Sequence, residues 1–338
     1  LGLGYSDYVF VFLNGRLLFS GNSAYTSRDP SFLGILGPFD TVHLPLQAGD
    51  NELQLLVVEV MGGWGFLCLD GDAVFTAAGV AAAWTTPRQL VIPESVAWDA
   101  ARGVFYVSNY SGYTRAVQQP GLEFISAVSA DGRILERVWV DGIKNPTGLA
   151  VAGDRLWAVG RQALGEIDIR GRAIVARHPF PQPAFPNDVA ADTAGRLYIS
   201  DSAKNAIYRF ADGRMEEWFA DPRLGRPNGL CVSGGRLVVG GVASGGLLTI
   251  NLETKELRPW VTLGEGVVDG LCALPDGGLL VSHNEGRLYR VRADGAVERL
   301  LDSTTAGWNI ADFAWVPEKR LVVIPTFADD RVVAYTLP

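Results

Sequence analysis

Six positions in this chain open short apolar runs in the same way: Glu94, Thr147, Asn187, Asn228, Asp269 and Ala311. Four of them are two carboxylates, Glu94 and Asp269, and two amides, Asn187 and Asn228. Brought together, these four offer the oxygen donors that a hard divalent cation takes, Ca²⁺ first. Histidine and cysteine, which zinc favours, stand at none of the six. A cation would also balance two acids that would otherwise repel one another and raise each other's pKa. A plainer reading exists, because Asn-Gly and Asp-Gly are ordinary turn chemistry. Turn chemistry lets the residue type drift, as it does at Thr147, but glutamate is not a turn former and Glu94 does not fit that account.

Either reading requires elements that repeat. The opening positions recur at roughly 40 residues after the first interval, the period of a four-stranded propeller blade. Three residues further on stand Ala97, Ala150, Ala190, Cys231, Cys272 and Ala314, all small, as an innermost strand crowded near an axis demands. Second strands rich in Leu, Val, Ile, Tyr and Phe follow, and Asp-Gly pairs at 131–132, 212–213 and 294–295 mark hairpins. The expectation is an all-β fold, a six-bladed β-propeller over 85–338, with the six positions ringed at one mouth of its channel. Residues 88–92 lack a partner nearby and the last blade lacks a strand, so pairing of 88–92 with 331–337 is expected to close the ring. Blade one carries an insertion at 109–123 on the same face, which makes Tyr110, Tyr113 and Arg115 candidates for substrate contact or else a surface excursion. His283 could assist proton transfer or be a neutral buried imidazole. Asp188, Asp201 and Asp312, near the same rim, read mainly as turn or loop acceptors.

Residues 1–84 do not share the repeat. Strands are expected at 8–13 and 16–19 around Asn14-Gly15, then at 41–46, 52–60 and 67–69, with 79–86 as linker. Phe12-Leu13-Asn14-Gly15, followed by the run from Leu46 to Leu55, resembles part of the galactose-binding-like jelly roll attached to many glycoside hydrolases. That resemblance implies an N-terminal partial β-sandwich, serving as a carbohydrate-binding module or as a structural half-sandwich. Trp64 and Tyr25 are its candidate stacking residues. A net charge of −8 argues against nonspecific nucleic-acid binding. No apolar run approaches the length of a spanning helix, so no membrane partner is expected. Cys231 and Cys272 read as buried thiols. The sequence opens at Leu1 without an initiator Met or a signal peptide, which leaves the compartment open.

With these residues in view, 88–338 resembles the senescence-marker-protein/gluconolactonase/luciferin-regenerating-enzyme family of six-bladed calcium propellers. Glu94, four residues before Trp98, matches the family's ligand glutamate, and Asn228 in Pro-Asn-Gly-Leu its metal asparagine. Asp269 in Val-Asp-Gly-Leu matches the aspartate that both binds metal and acts as base. Asn187 in Pro-Asn-Asp-Val matches an asparagine that contacts substrate, or metal in some members. The resemblance implies a Ca²⁺-dependent hydrolase that opens a small lactone or ester. Two departures stand out. The first motif reads Glu-Ser-Val-Ala-Trp rather than Glu-Gly-Pro-Val-Trp, and Phe185 stands where sugar-lactone members often carry Arg. The alternative from another class is a binding propeller whose metal braces the channel, with carbohydrate or partner contact supplied by the N-terminal segment.

Overall fold

The computed structural model describes residues 1–338 except 25–26, 28–39, 43, 48, 61–64, 70–73, 112–121 and 244. The chain divides into two compact units, Leu1–Val74 and Phe75–Pro338. In the second, the 40-residue period becomes six antiparallel sheets; four have all their strands in chain order from the axis outward, and the last two each add an outer strand from the start of the unit. Their inner strands are Pro93–Asp99, Leu149–Ala152, Pro186–Ala191, Pro227–Ser233, Val268–Ala273 and Ala314–Val316. This is a six-bladed β-propeller.

Successive side chains on a strand point to opposite faces, and in a propeller both faces are covered by neighbouring blades. The second strand of blade one shows the consequence. Phe105 and Val107 pack with Val96, Ala314 and Val323 on the side of blade six. Tyr106 packs with Leu149, Leu156 and Ala158 on the side of blade two. The second strands Val104–Asn109, Leu197–Asp201 and Leu279–His283 are therefore apolar on both faces and almost wholly buried. Ala97, Ala190, Cys231 and Ala314 are buried as the crowding argument requires. Burial pushes both thiols, Cys231 and Cys272, up to about 12, which leaves them inert at neutral pH.

Ring closure joins the two ends of the unit, but through a different segment from the one expected. Ala81–Thr85, within the presumed linker, is the outer strand of blade six, with Val333 opposite Thr85 and Ala334 opposite Trp84. Residues 88–92 form no strand: Ile92 has a positive φ of 42°, and its N–H donates to Asp330 Oδ1 (2.9 Å). The run Ala-Ala-Ala-Trp-Thr has little intrinsic β preference, and its pairing is imposed by the open edge of Val332–Thr336. Phe75–Thr76 adds a short fifth strand to blade five.

In the first unit the described strands form two three-stranded antiparallel sheets. One orders Asp40–Thr41, Gly2–Ser6 and Gly65–Leu69; the other orders Arg16–Asn22, Tyr8–Leu13 and Leu53–Val58. Leu3, Tyr5, Val9, Val11 and Val42 fill the core they share. Tyr25 and Trp64 lie outside the described residues.

Candidate functional site

Glu94, Thr147, Asn187, Asn228 and Asp269 line one pocket of about 160 Å³ at the mouth of the channel. Ala311 contributes only a methyl group to the ring and is fully buried. Tyr110 and Phe185, both expected near substrate, line the same pocket, as do Asn284, Arg226 and Phe327. Tyr113 and Arg115 lie outside the described residues. His283 is not among the lining residues. It is fully buried beneath the edge of Tyr289, and burial lowers its pKa against the opposing influence of Glu285.

The glycines that follow three of the six opening residues, Thr147, Asn228 and Asp269, explain how the ring closes. Gly229 and Gly270 sit inside strands and have no positive φ, so turn geometry does not select them. A Cβ at Gly229 would overlap the carbonyl oxygen of Asp269, and one at Gly270 would stand 2.8 Å from the Asp312 Cα. Glycine is there because the next inner strand passes too close for a side chain. The Asn-Gly and Asp-Gly pairs thus belong to strand packing, which removes the turn account of Asn228 and Asp269.

The same positions reveal a deeper tier: Ser95, Gly148, Asp188, Gly229, Gly270 and Asp312. Asp188 and Asp312, read from sequence as turn acceptors, instead tie the inner strands together. Leu230 N–H donates to Asp188 Oδ2 (2.6 Å), and the Ser95 hydroxyl donates to Asp312 Oδ2 (2.5 Å). Below them the hydroxyls of Ser108, Ser200 and Ser282 accept the N–H groups of Ser95, Asp188 and Gly270 at 2.7–3.0 Å. Asp201 does act as a loop acceptor, taking the N–H groups of Ala184 and Phe185 at 2.9 Å.

Four carboxyls therefore crowd the channel, and burial raises the pKa of each. Burial raises Glu94 well above the carboxylate range, and the charges of Asp269, Asp312 and Asp188 raise it further. Asp312 is raised likewise, by burial and then by Asp188. Asp188 is pushed up to about 6 by burial, against N–H donation from Leu230 and Val189. Asp269 is pushed up to about 7 by burial, with hydrogen bonds from Asn284 and Asn228 opposing the charges of Asp188 and Glu285.

Asn284 lines the pocket in contact with Asp269, and sequence reasoning did not anticipate it. Its Nδ2 donates to Asp269 Oδ2 (2.8 Å), and its own Oδ1 accepts from Asn309 Nδ2 (3.1 Å). Asn309 also donates to the Asn284 carbonyl (2.8 Å), so the Asp269 carboxyl is oriented by two successive amides. Thr147 spends its hydroxyl on the carbonyl of Asn187 (2.5 Å).

A fit for a cation can be tested on polar atoms left without partners. Buried oxygens nearly always find a hydrogen bond. Glu94 Oε2 and Asn228 Oδ1 are buried and have none among the described residues. Both are hard donors and both belong to the pocket, so the donor set suits Ca²⁺. Counting only His, Cys, Asp and Glu, no group of three with ligating geometry occurs among the described residues. Glu94 and Asp269 would have to be completed by the amide oxygens.

No family model matches the chain, and no curated protein matches it. Solved structures do. The chain is similar to a gluconolactonase of Xanthomonas campestris, with 18% identity and a TM-score of 0.61 over 77% of this chain and 89% of that one. It is also similar to the calcium-binding protein regucalcin of Agrobacterium tumefaciens (15% identity, TM-score 0.57, 76% and 96% covered). Virginiamycin B lyase of Staphylococcus aureus superposes with a TM-score of 0.55 at 12% identity, over 79% of this chain and all of that one. At these identities the likeness establishes the propeller, and the chemistry has to be argued from the site.

Proposed function

We propose that this protein is a hydrolase that opens a lactone or related ester at the mouth of the propeller channel, with a divalent cation, Ca²⁺ first, as cofactor. The observation that carries the reading is the pair of unpartnered buried oxygens, Glu94 Oε2 and Asn228 Oδ1, in the same pocket as the Asp269 carboxyl. Glu94, Asn228 and Asp269 would hold the ion, with Asn187 as a fourth donor or a substrate contact. Bound there, it would supply Lewis acidity to an ester carbonyl and charge to match the developing oxyanion.

The remaining work falls to the chain. Asp269 is the proton acceptor for the attacking water, or itself the nucleophile, and Asn284 fixes the direction from which it acts. Phe185, Tyr110 and Phe327 give the pocket an aromatic wall that excludes water and orients an apolar face of the substrate. The gluconolactonase and regucalcin neighbours support a lactone substrate and a calcium cofactor as the first to try.

The test is hydrolysis of a small lactone panel at saturating Ca²⁺, with bound metal measured alongside. Asp269→Asn keeps an oxygen of the same shape but removes the proton acceptor, so turnover should fall at least about 100-fold. Glu94→Gln loses ligand charge only, and excess Ca²⁺ should restore much of its activity. Wild-type turnover by a metal-loaded Asp269→Asn protein would remove the catalytic role and leave a cation that merely braces the channel.

A further inference from the structure

A second cavity, of about 410 Å³, opens between the loop that ends blade one and the strands of blade two. Its charged lining residues are Lys144, Arg161 and Arg177, and no acidic residue lines it among the described residues. Asn145 and Gln162 add amide groups. Gly160 and Gly165 keep its floor low, because a Cβ at Gly165 would collide with the side chain of Ile143. Three cations facing one cavity repel one another unless an anion joins them.

The partners of these cations are informative. Elsewhere in the same blade arginines are matched: Arg155 to Glu166 and Asp168, Arg172 to Glu136. Arg177, by contrast, donates to the Gly142 carbonyl (3.1 Å) and has no carboxylate partner among the described residues. Arg161 has none either; its guanidinium lies 4.4 Å from the centroid of the Phe185 ring. Lys144 pairs with Glu123 at 3.2 Å through a side chain that is 79% exposed, where an ion pair is worth little. Arg161 and Arg177 thus present two exposed guanidinium groups to the cavity that no carboxylate among the described residues engages.

Its location says which anion. Phe185 lines the channel pocket, and Arg161, whose guanidinium lies over that ring, lines the basic cavity. One aromatic–guanidinium contact therefore joins a lining residue of the first cavity to a lining residue of the second. We propose that the Lys144–Arg161–Arg177 cavity binds a carboxylate or phosphate ester of the same molecule whose ester bond is opened beside Asp269. The substrate class is then an anionic lactone, such as a hexonolactone 6-phosphate or a hexarolactone. This inference rests on the hydrolase reading for its substrate and on the cavity alone for its anion. Guanidinium forks suit both oxyanions, and partial exposure makes the interaction salt-dependent.

Two measurements test it, on full-length protein with Ca²⁺ present. The first is calorimetric titration with inorganic phosphate, which needs no turnover, for wild type and for Lys144→Gln/Arg177→Gln. Phosphate should bind the wild type, and the double variant should lose about tenfold or more in affinity at an unchanged melting temperature. The second compares kcat/KM for a neutral hexonolactone with that for its 6-phosphate and for the corresponding hexarolactone. The anionic substrates should be preferred, and the preference should fall about tenfold in the double variant, through KM, and also with added salt. Equal phosphate affinity in both proteins would overturn the cavity as an anion site. Phosphate binding without any preference for anionic lactones would overturn its assignment to substrate. If no lactone is hydrolysed yet phosphate binding depends on Lys144 and Arg177, the hydrolase reading fails while the anion site stands.

Discussion

Stripping the protein of divalent cation should uncover a dependence of stability on pH whose sign the channel carboxyls dictate. Asp269 at about 7 and Asp188 at about 6 both lie above the ordinary value of 3.8. A raised folded-state pKa means that the native state holds its proton more tightly than the unfolded chain. The stability this contributes is complete below about pH 4 and is lost as pH rises through the folded-state value. The interval from 3.8 to about 7 corresponds to roughly 4 kcal/mol for Asp269. Asp188 adds less than its own interval suggests, because the two titrate against each other. In a unit of this size roughly 4 kcal/mol is on the order of 10 °C of melting temperature. Ca²⁺ reverses the trend, since it binds the ionised carboxylates and displaces their protons. The assay is differential scanning calorimetry of resin-stripped protein, with and without millimolar CaCl₂, between about pH 5 and pH 8. The calcium-dependent gain in melting temperature should be small at the acid end and grow toward about 10 °C at the alkaline end. A gain that is absent, flat or shrinking with pH would refute the account of the channel carboxyls and the oxygen site together.

Two further outcomes follow from the geometry. Gly229→Ala places a methyl group on the carbonyl oxygen of Asp269, and should cost about 2–4 kcal/mol while weakening Ca²⁺ binding; an unchanged melt with full calcium affinity would show that the strands can separate freely there. Trp84→Ala removes an aromatic packed against Phe105 across the closing strand, with ring centroids 6.0 Å apart, and should cost about 2–4 kcal/mol and speed amide exchange across Val332–Thr336. Arg88→Ala removes only an exposed ion pair with Asp329 and should cost under about 1 kcal/mol. The reverse order would restore 88–92 as the closing segment.

How far the sequence could be read depends on which interactions are local. Six openings, six small residues three places on, and Asp-Gly hairpins are all periodic, and the sheets follow them blade by blade. The closing strand was not legible, because a stretch of three alanines takes its conformation from a partner some 250 residues away in the chain, Thr336 bonding back to Ala81. Sequence placed the neighbouring segment there because it lacked a partner nearby and the last blade lacked a strand, but Pro87 and Pro93 bracket it, and Ile92 breaks it with a positive φ. Of the substrate candidates, Tyr110 and Phe185 line the pocket and His283 does not. Nothing in the repeat pointed to Asn284, which lies one residue past its strand and donates to Asp269.

The glycines show why the site itself was half legible. Read as local chemistry, Asn228-Gly229 and Asp269-Gly270 are turns, and Asp188 and Asp312 are turn acceptors. Read as a ring, each glycine makes room for the neighbouring strand, and each deeper carboxyl ties one strand to the next. Only the second reading explains why Gly229 and Gly270 lack the positive φ that turns exploit. It also explains the chemistry one residue above. Strands drawn this close bring Glu94 near Asp269 and leave Glu94 Oε2 and Asn228 Oδ1 facing the pocket without a hydrogen bond. A packing device of three glycines thus creates the electrostatic problem that a cation in the pocket would solve, so the spacing that builds the propeller and the spacing that builds the site are the same.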